Sequence, residues 1–269
     1  MSLEERAPAG IDTTRPSVAR MYDYYLGGKD NFAVDREAAE RVLAAVPNSR
    51  VGALENRAFL RRAVRFMVNQ GIRQIIDIGS GLPTVDNTHE VAQQLVPDTR
   101  VVYVDIDPIV LAHGRAILAN NEHTTVITAD MRRPAEVLDH PETKRLIDFS
   151  QPVGVLLIAM VHFISDEERP QIMGYLRDAL PSGSYLAATH ITGDGKPAEA
   201  VQQIRSVYET TSTPLFFRTH AEVARFFEGF ELVEPGLVTL DAWRPDPSDP
   251  SPADPELAGW AYGGVGRKP

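Results

Sequence analysis

From Arg73 onward the chain alternates short apolar runs with segments whose apolar residues recur every three or four positions. The runs are RQIIDIGSG (73–81), RVVYVDIDP (100–108), TTVITADM (124–131), PVGVLLIAMV (152–161) and GSYLAATHI (183–191). β-Branched residues are frequent in them, and the fourth is apolar throughout, as befits a strand buried on both faces. Between them, residues 87–96, 108–120, 134–148 and 166–180 read as helices. Strand and helix in alternation predict a parallel sheet covered on both faces. FFRTHAEVARFFEGF (216–230) has helical spacing and reads as core packing rather than a substrate box. FELVEPGLVTL (230–240) and GWAYGGVGRK (259–268) read as two further strands, with a Pro- and Asp-rich loop, 244–256, between them.

The pattern before Arg73 is different. Residues 1–16 are polar. SVARMYDYYLGG (17–28) predicts a short helix, capped by Ser17 and stopped by Gly27 and Gly28. VDREAAERVLAAV (34–46) predicts a second, ended by Pro47. A third runs over 50–69, with Val51, Leu54, Leu60, Ala63, Val64 and Met67 at helical spacing. The chain therefore reads as one α/β domain over 1–269. Residues 1–70 form a helical extension and 71–269 the sheet-bearing core.

Composition narrows the function. The net charge is −10 with no Lys/Arg block, which argues against nucleic acid or an anionic membrane as partner. The absence of cysteine removes disulfides, thiolate metal sites and a Cys nucleophile. His113, His123, His140 and His220 show no paired ligand spacing, so no metal site is expected. MSLEERAPAG lacks an apolar signal core, and no apolar run approaches the ~20 residues that span a bilayer. A cytoplasmic enzyme or binding protein is the expectation.

The candidate chemistry sits at the ends of the apolar runs. DIGSG places Gly79 and Gly81 around Ser80, where a chain can pass close to a ligand. A G-x-G pair alone also fits a plain tight turn, and Thr84 stands where a dinucleotide fingerprint has its third glycine. Asp105 closes the second run 24 residues after Gly81, suited to both hydroxyls of a ribose. Asp107 competes for that role, or caps the helix that Pro108 opens. Asp130 closes the third run beside Met131, a pair suited to an adenine amino group and ring. With Asp77, three carboxylates fall along one sheet edge, where ligands of such sheets bind.

Together DIGSG, VVYVDIDP, TADMR and AMVHFISD resemble the class I S-adenosylmethionine-dependent methyltransferases. SVARMYDYYLGGKDNFAVDR, ENRAFLRRAVRF and YGGVGRKP are similar, more closely, to a bacterial methyltransferase-like family long catalogued as a domain of unknown function. The resemblance spans nearly the whole chain. It implies a Rossmann-like seven-stranded sheet, mostly parallel with the last strand antiparallel, binding S-adenosylmethionine. Asp77, Gly79, Ser80 and Gly81 would line its methionine and ribose side, and Asp105 would hold the ribose. Asp130 with Met131 would hold the adenine, and Ala159 and Met160 would border the methyl group. The implied activity is methyl transfer to a small-molecule acceptor. A non-catalytic binder of the cofactor and an NAD-dependent oxidoreductase are the alternatives. Asn56 and Arg57 read as solvated or helix-pairing residues of the third helix, with a place facing the cofactor as the alternative that the resemblance raises.

His162 and His190 close the fourth and fifth runs, each either a base for the acceptor or a hydrogen-bonded structural histidine. MYDYYLGGKDNF (21–32) holds three of the chain's eight tyrosines. On a helix Tyr22 and Tyr25 share a face. The segment is expected to fold over the cofactor cleft as a lid, with Tyr22 and Tyr25 approaching the cofactor, one of them near the sulfonium, and Asn31 reaching a polar group of the cofactor or substrate. Simple packing of these tyrosines onto the core is the alternative.

Overall fold

The computed structural model describes residues 11–269 apart from 84–85, 118–120, 212, 248 and 250–258. The first ten residues, Thr84 and most of the 244–256 loop therefore lie outside the described residues. Five parallel strands form the sheet's main body: β1 (Gln74–Ile78), β2 (Arg100–Asp105), β3 (Thr124–Thr128), β4 (Gly154–Leu157) and β5 (Tyr185–Ile191). Antiparallel to β5 runs β8 (Ala261–Arg267), which carries two short strands, β6 (Glu231–Leu232) and β7 (Val238–Thr239). The order is β3-β2-β1-β4-β5-β8-β6, with β7 also pairing β8. This is the expected Rossmann-like α/β sheet with one strand more than the seven expected. The run 230–240 breaks at Pro235, which has no N–H to donate, and Gly236, at φ +91°.

Alternation along each strand divides the core between the two faces. Ile76, Val102, Val155 and Leu186 point to one side; Ile75, Val101, Leu156 and Ala187 point to the other. The second side is covered by α3 (Ser49–Asn69), whose Phe59, Leu60, Val64 and Met67 are buried with Trp243. The first is covered by α6 (Pro134–Leu138), α7 (Pro141–Leu146), α8 (Arg169–Ala179) and α9 (Ala198–Tyr208). α4 (Thr88–Leu95) and α5 (Pro108–Ile117) link the first three strands, and α10 (His220–Ala224) follows α9.

Three boundaries differ from the sequence expectation. The helix expected over 134–148 divides because Pro141 cannot donate to a preceding carbonyl; His140 instead caps α7, accepting from Glu142 N. The fourth strand stops at Leu157, and Val161–Phe163 form a 3-10 turn. α9 was not expected, because only Ile204 and Val207 of its eleven residues are buried.

The helical extension is part of the fold's core. In α1 (Val18–Tyr25) Met21 is fully buried, and α2 (Ala33–Ala45) buries Ala38, Ala39 and Val42 in the same cluster. A buried ion pair closes the two helices. Arg20, 3% exposed, reaches Asp35, 0% exposed, at 2.7 Å. Asp35 also accepts from Ser17 N and Phe32 N, both at 2.9 Å, and Arg20 donates to the carbonyls of Asp12 and Arg15. Between the helices Asp23 accepts from Asp30 N and the Asn31 amide. A side chain at Gly28 would lie 2.0 Å from the Asp23 carboxylate, so glycine is required there.

Removing one partner of a buried pair strands the other charge, at about 3–5 kcal/mol. Asp35→Ala is accordingly expected to cost about 3–5 kcal/mol in urea denaturation. A loss below about 1 kcal/mol, the usual worth of an exposed pair, would show that this clasp does not hold the extension.

Candidate active site

All five parallel strands end at one edge of the sheet, and a cavity of about 570 Å³ opens there. Residues following β1 to β5 form its floor, and α1, α3 and α9 contribute walls. Asp77, Gly79, Ser80, Gly81, Asp105, Asp130, Met131, Ala159 and Met160 all line it.

The turn after β1 is drawn into the protein. Gly79 N and Ser80 N donate to the Val104 carbonyl at 2.7 and 3.2 Å. Gly81 N donates to Asp105 Oδ2 at 2.9 Å. Gly79 and Gly81 hold φ of +75° and +66°, which favours glycine. At Gly79 a Cβ would also fall 2.0 Å from Met160 Sδ. The three amides that would cradle a phosphate are thus already paired, and carboxylates surround them.

Those carboxylates differ in state. Burial pushes Asp77 up to about 6, against the hydrogen bond from Thr88 Oγ1 at 2.6 Å. Burial likewise pushes Asp105 up to about 6, although it accepts from Asp107 N and Gly81 N. Asp130 is partly buried; its carboxylate receives Arg132 Nε and Nη2 at 2.8–3.1 Å and Arg132 N at 2.9 Å. With most of its lone pairs taken, this corner offers a flat ring mainly apolar contact, from Met131, Ala129 and Ile106. Ile106 is 57% exposed although apolar.

The roof is tied to the floor by a hydrogen-bond relay. Ala159, at φ +56°, donates its N–H to Thr189 Oγ1 at 2.7 Å. Thr189 donates to Asn56 Oδ1 at 2.7 Å, and the Asn56 amide donates to Tyr22 OH at 2.8 Å. Tyr22 OH donates to the Ala53 carbonyl at 3.1 Å. One chain of bonds therefore joins β4, β5, α3 and α1 across the cavity edge. Arg57, one residue on, donates to the Asp86 carbonyl at 2.9 Å. Tyr22 and Tyr25 both line the cavity, and the Tyr25 hydroxyl is buried beside that of Tyr208. α1 is thus a packed wall of the cleft.

Three expected site residues stand elsewhere. Asn31 does not line the cavity, because its amide is held by Asp23 and the Gly28 carbonyl. Asp107 caps α5 through Ile109 N and anchors Ser17 Oγ at 2.9 Å. His190 is fully buried behind the wall, its Nε2 3.0 Å from Arg218 Nη1 and its Nδ1 bonded to the Ile191 carbonyl. Burial lowers its pKa to about 4. Arg218 also donates to the Ile164 carbonyl at 2.6 Å, which fixes the turn carrying His162. His162 does line the cavity. Its Nδ1 has no partner, and burial, with His190 and Arg218 nearby, holds its pKa well below the ordinary value.

Sequence reasoning missed Glu55, Asn56, Ile106, Thr189 and Tyr208 as cavity residues. For Asn56 a signal was present: it stands three after Ala53 and four before Leu60, on the apolar face of its helix. A polar side chain on a buried stripe needs a partner. Tyr208 lay on an unrecognised helix, and Thr189 read as an ordinary strand residue.

Among the described residues no group of three or more His, Asp or Glu side chains is placed to hold a metal ion. No described helix is long and apolar enough to cross a membrane. A family model described as S-adenosyl methyltransferase matches residues 4–269. The chain superposes with TM-score 0.90 on a Thermobifida fusca YX protein, provisionally assigned as a methyltransferase, at 47% identity over 97% of this chain and 98% of that one. A DUF574 family protein from Streptomyces avermitilis MA-4680 gives TM-score 0.90 and 42% identity, over 96% and 99%. No curated protein matches.

The raised pKa of Asp77 has a consequence for stability. Its folded value of about 6 exceeds the ordinary value of 3.8, so the fold loses stability as pH rises through that window. Asp77→Asn can keep the Thr88 bond without the charge. The variant is expected to be more stable than the wild type above pH 6, by about 1–3 kcal/mol at one pKa unit per 1.36 kcal/mol. That gain should vanish toward pH 4. Denaturation of both ligand-free proteins at pH 7.5 and 4 measures it, and a gain that persists at low pH would contradict the assignment.

Proposed function

The chain belongs to this S-adenosyl methyltransferase family, and from that premise we propose that it transfers a methyl group from S-adenosylmethionine to a small-molecule acceptor held in the same cavity. The observation that carries this reading is the inward pairing of the Gly79, Ser80 and Gly81 amides. A dinucleotide needs such amides free for its pyrophosphate. Here they are bonded to Val104 and Asp105, with Asp77 and Asp105 beside them. The site suits a ligand without phosphate and with cationic character, which disfavours NAD.

The residues fit the adenosyl and amino-acid parts in sequence. Asp105 keeps lone pairs for a ribose diol. Met131 and Ile106 offer apolar contact to the adenine, with Asp130 at its edge. Asp77, through the oxygen that Thr88 leaves open, faces the methionine side with Asn56 and Arg57. Tyr22 presents a ring at this end, and a desolvated cation over such a face gains up to about 2 kcal/mol. When bound, the cofactor supplies a methyl group on a sulfonium, to be passed to a nucleophilic heteroatom. The protein's part is then mostly positioning, worth roughly 7–11 kcal/mol when reactants are held at near-attack distance. Ala159 and Met160 close the floor below that point. His162, which lines the cavity and is held neutral by burial, is our candidate to accept the acceptor's proton.

Two outcomes test this reading. Calorimetry should show S-adenosylhomocysteine binding and NAD not. Asp105→Ala should weaken the former by about 1.5–3 kcal/mol, the worth of a charge-assisted bond, which is on the order of tenfold to over a hundredfold. Tighter binding of NAD would remove the proposal. Labelled S-adenosylmethionine screened over small-molecule pools should yield a methylated product, separating an enzyme from a binder. With that acceptor, His162→Asn should lower kcat while cofactor affinity stays unchanged. Equal loss of fold stability and activity would leave His162 a structural residue.

A further inference from the structure

Glu55 is the cavity-lining carboxylate carried by α3; the others are Asp77, Asp105 and Asp130 at the strand ends and Glu168 at the start of α8. Glu55 is 8% exposed, Oε1 has no hydrogen-bond partner, and no ion pair involves it among the described residues. The nearby cation, Arg62, is directed elsewhere: its Nε donates to the Trp243 carbonyl at 2.8 Å, its Nη2 to the Leu240 carbonyl, and its Nη1 to Asp249. The other charged neighbour, Asp241, is repulsive. A buried carboxylate without a partner is unfavourable in the free protein. It becomes favourable when a ligand supplies the missing donor.

Its place on the helix separates it from the cofactor. Residues two apart on a helix point about 200° apart around the axis. Arg57 reaches the Asp86 carbonyl, beyond β1, so Glu55 leans the opposite way, toward β5 and β8. The walls there are Leu60, Leu240, Trp260 and Ala261, with Thr189 and Ile191 below. Apart from Glu55 and the Thr189 hydroxyl, which is already bonded to Asn56, these walls are apolar and aromatic. Burial and the Asp241 charge raise its pKa to about 7, which also favours a proton-bearing partner.

We propose that Glu55 is the anchoring group for a basic nitrogen on the methyl acceptor, so that the acceptor is an apolar small molecule carrying an amine. The proposal rests on the reading that cofactor and acceptor share this cavity. Glu55 acts in recognition and need not touch the atom that is methylated. An ammonium against Glu55 would satisfy the carboxylate, while the Trp260 ring, over which Lys196 Nζ already lies at 5.3 Å, supplies apolar wall. An alcohol of the same shape would supply one neutral donor, and a carboxylate would be repelled.

Small probes test this without the natural acceptor. Cyclohexylamine, cyclohexanol and cyclohexanecarboxylate are titrated at pH 7.5 into wild type and Glu55→Gln, each saturated with S-adenosylhomocysteine. The amine should bind wild type at least tenfold tighter than the alcohol, and the carboxylate weakest. Glu55→Gln should bring amine and alcohol within about threefold while the affinity for S-adenosylhomocysteine stays within twofold. Absence of an amine preference in wild type, or its persistence in the variant, overturns the proposal. So does a tenfold loss of S-adenosylhomocysteine affinity in the variant, which would assign Glu55 to the cofactor's own ammonium. If S-adenosylhomocysteine does not bind wild type, the cofactor reading fails instead. The three probes on the ligand-free proteins then still decide whether Glu55 selects an amine.

Discussion

Everything at the working edge of this protein depends on the hydrogen bonds of Asn56. A parallel sheet ends all its strands on one side, and its side chains cannot close that edge from within. Closure has to come from another part of the chain. Here it comes from α1 and α3, and Asn56 is where both meet the sheet. Its carbonyl receives Thr189 and its amide donates to Tyr22, so both ends of one side chain are fixed in a buried setting. Thr189 in turn holds Ala159 in a left-handed conformation that a non-glycine residue adopts only when its surroundings enforce it. The roof, the floor after β4 and the tyrosine wall therefore share one fixed point.

Electrostatics then decide what this cleft admits. The glycine turn has its amides bonded inward, while Asp77 and Asp105 are buried with raised pKa values. Ionising two such groups in a dry site weakens the free protein. The same groups become favourable when hydroxyls or a cation reach them. The cleft is thus built with a deficit that a suitable ligand fills. That fits a sulfonium nucleoside better than a pyrophosphate.

A similar deficit marks other parts of the cavity wall. His162 Nδ1 and Glu55 Oε1 are buried in residues of the cavity wall without partners. Each such group costs about 1–3 kcal/mol when left unmet. Arg218 and Arg62 show how the protein avoids satisfying them internally. Arg218 is bonded to His190 and the Ile164 carbonyl, and Arg62 to Trp243, Leu240 and Asp249. Both guanidiniums are committed to holding the walls and are not bonded to the neighbouring His162 and Glu55.

Much of this was legible in the sequence because it depends on local pattern. Periodicity gave the five parallel strands and α1 to α3, since strand and helix bury residues at different spacings. Acids and glycines closing those strands lie at the cavity because every parallel strand ends on the same side, so Asp77, Gly79, Ser80, Gly81, Asp105, Asp130 and Met131 met there by topology alone. What the pattern could not show is where a side chain's hydrogen bonds go. Asp107 and His190 occupy strand-end positions like the others, yet Asp107 turned to Ser17 and Ile109, and His190 to Arg218. Asn31 closed its own loop with Asp23. Asn56 and Thr189, 133 residues apart, became partners only when α3 crossed the ends of β4 and β5. The sequence by itself determined which residues stand at the working edge. Tertiary structure decided which of them face the cavity, because buried polar groups must find partners and those partners lie far away along the chain.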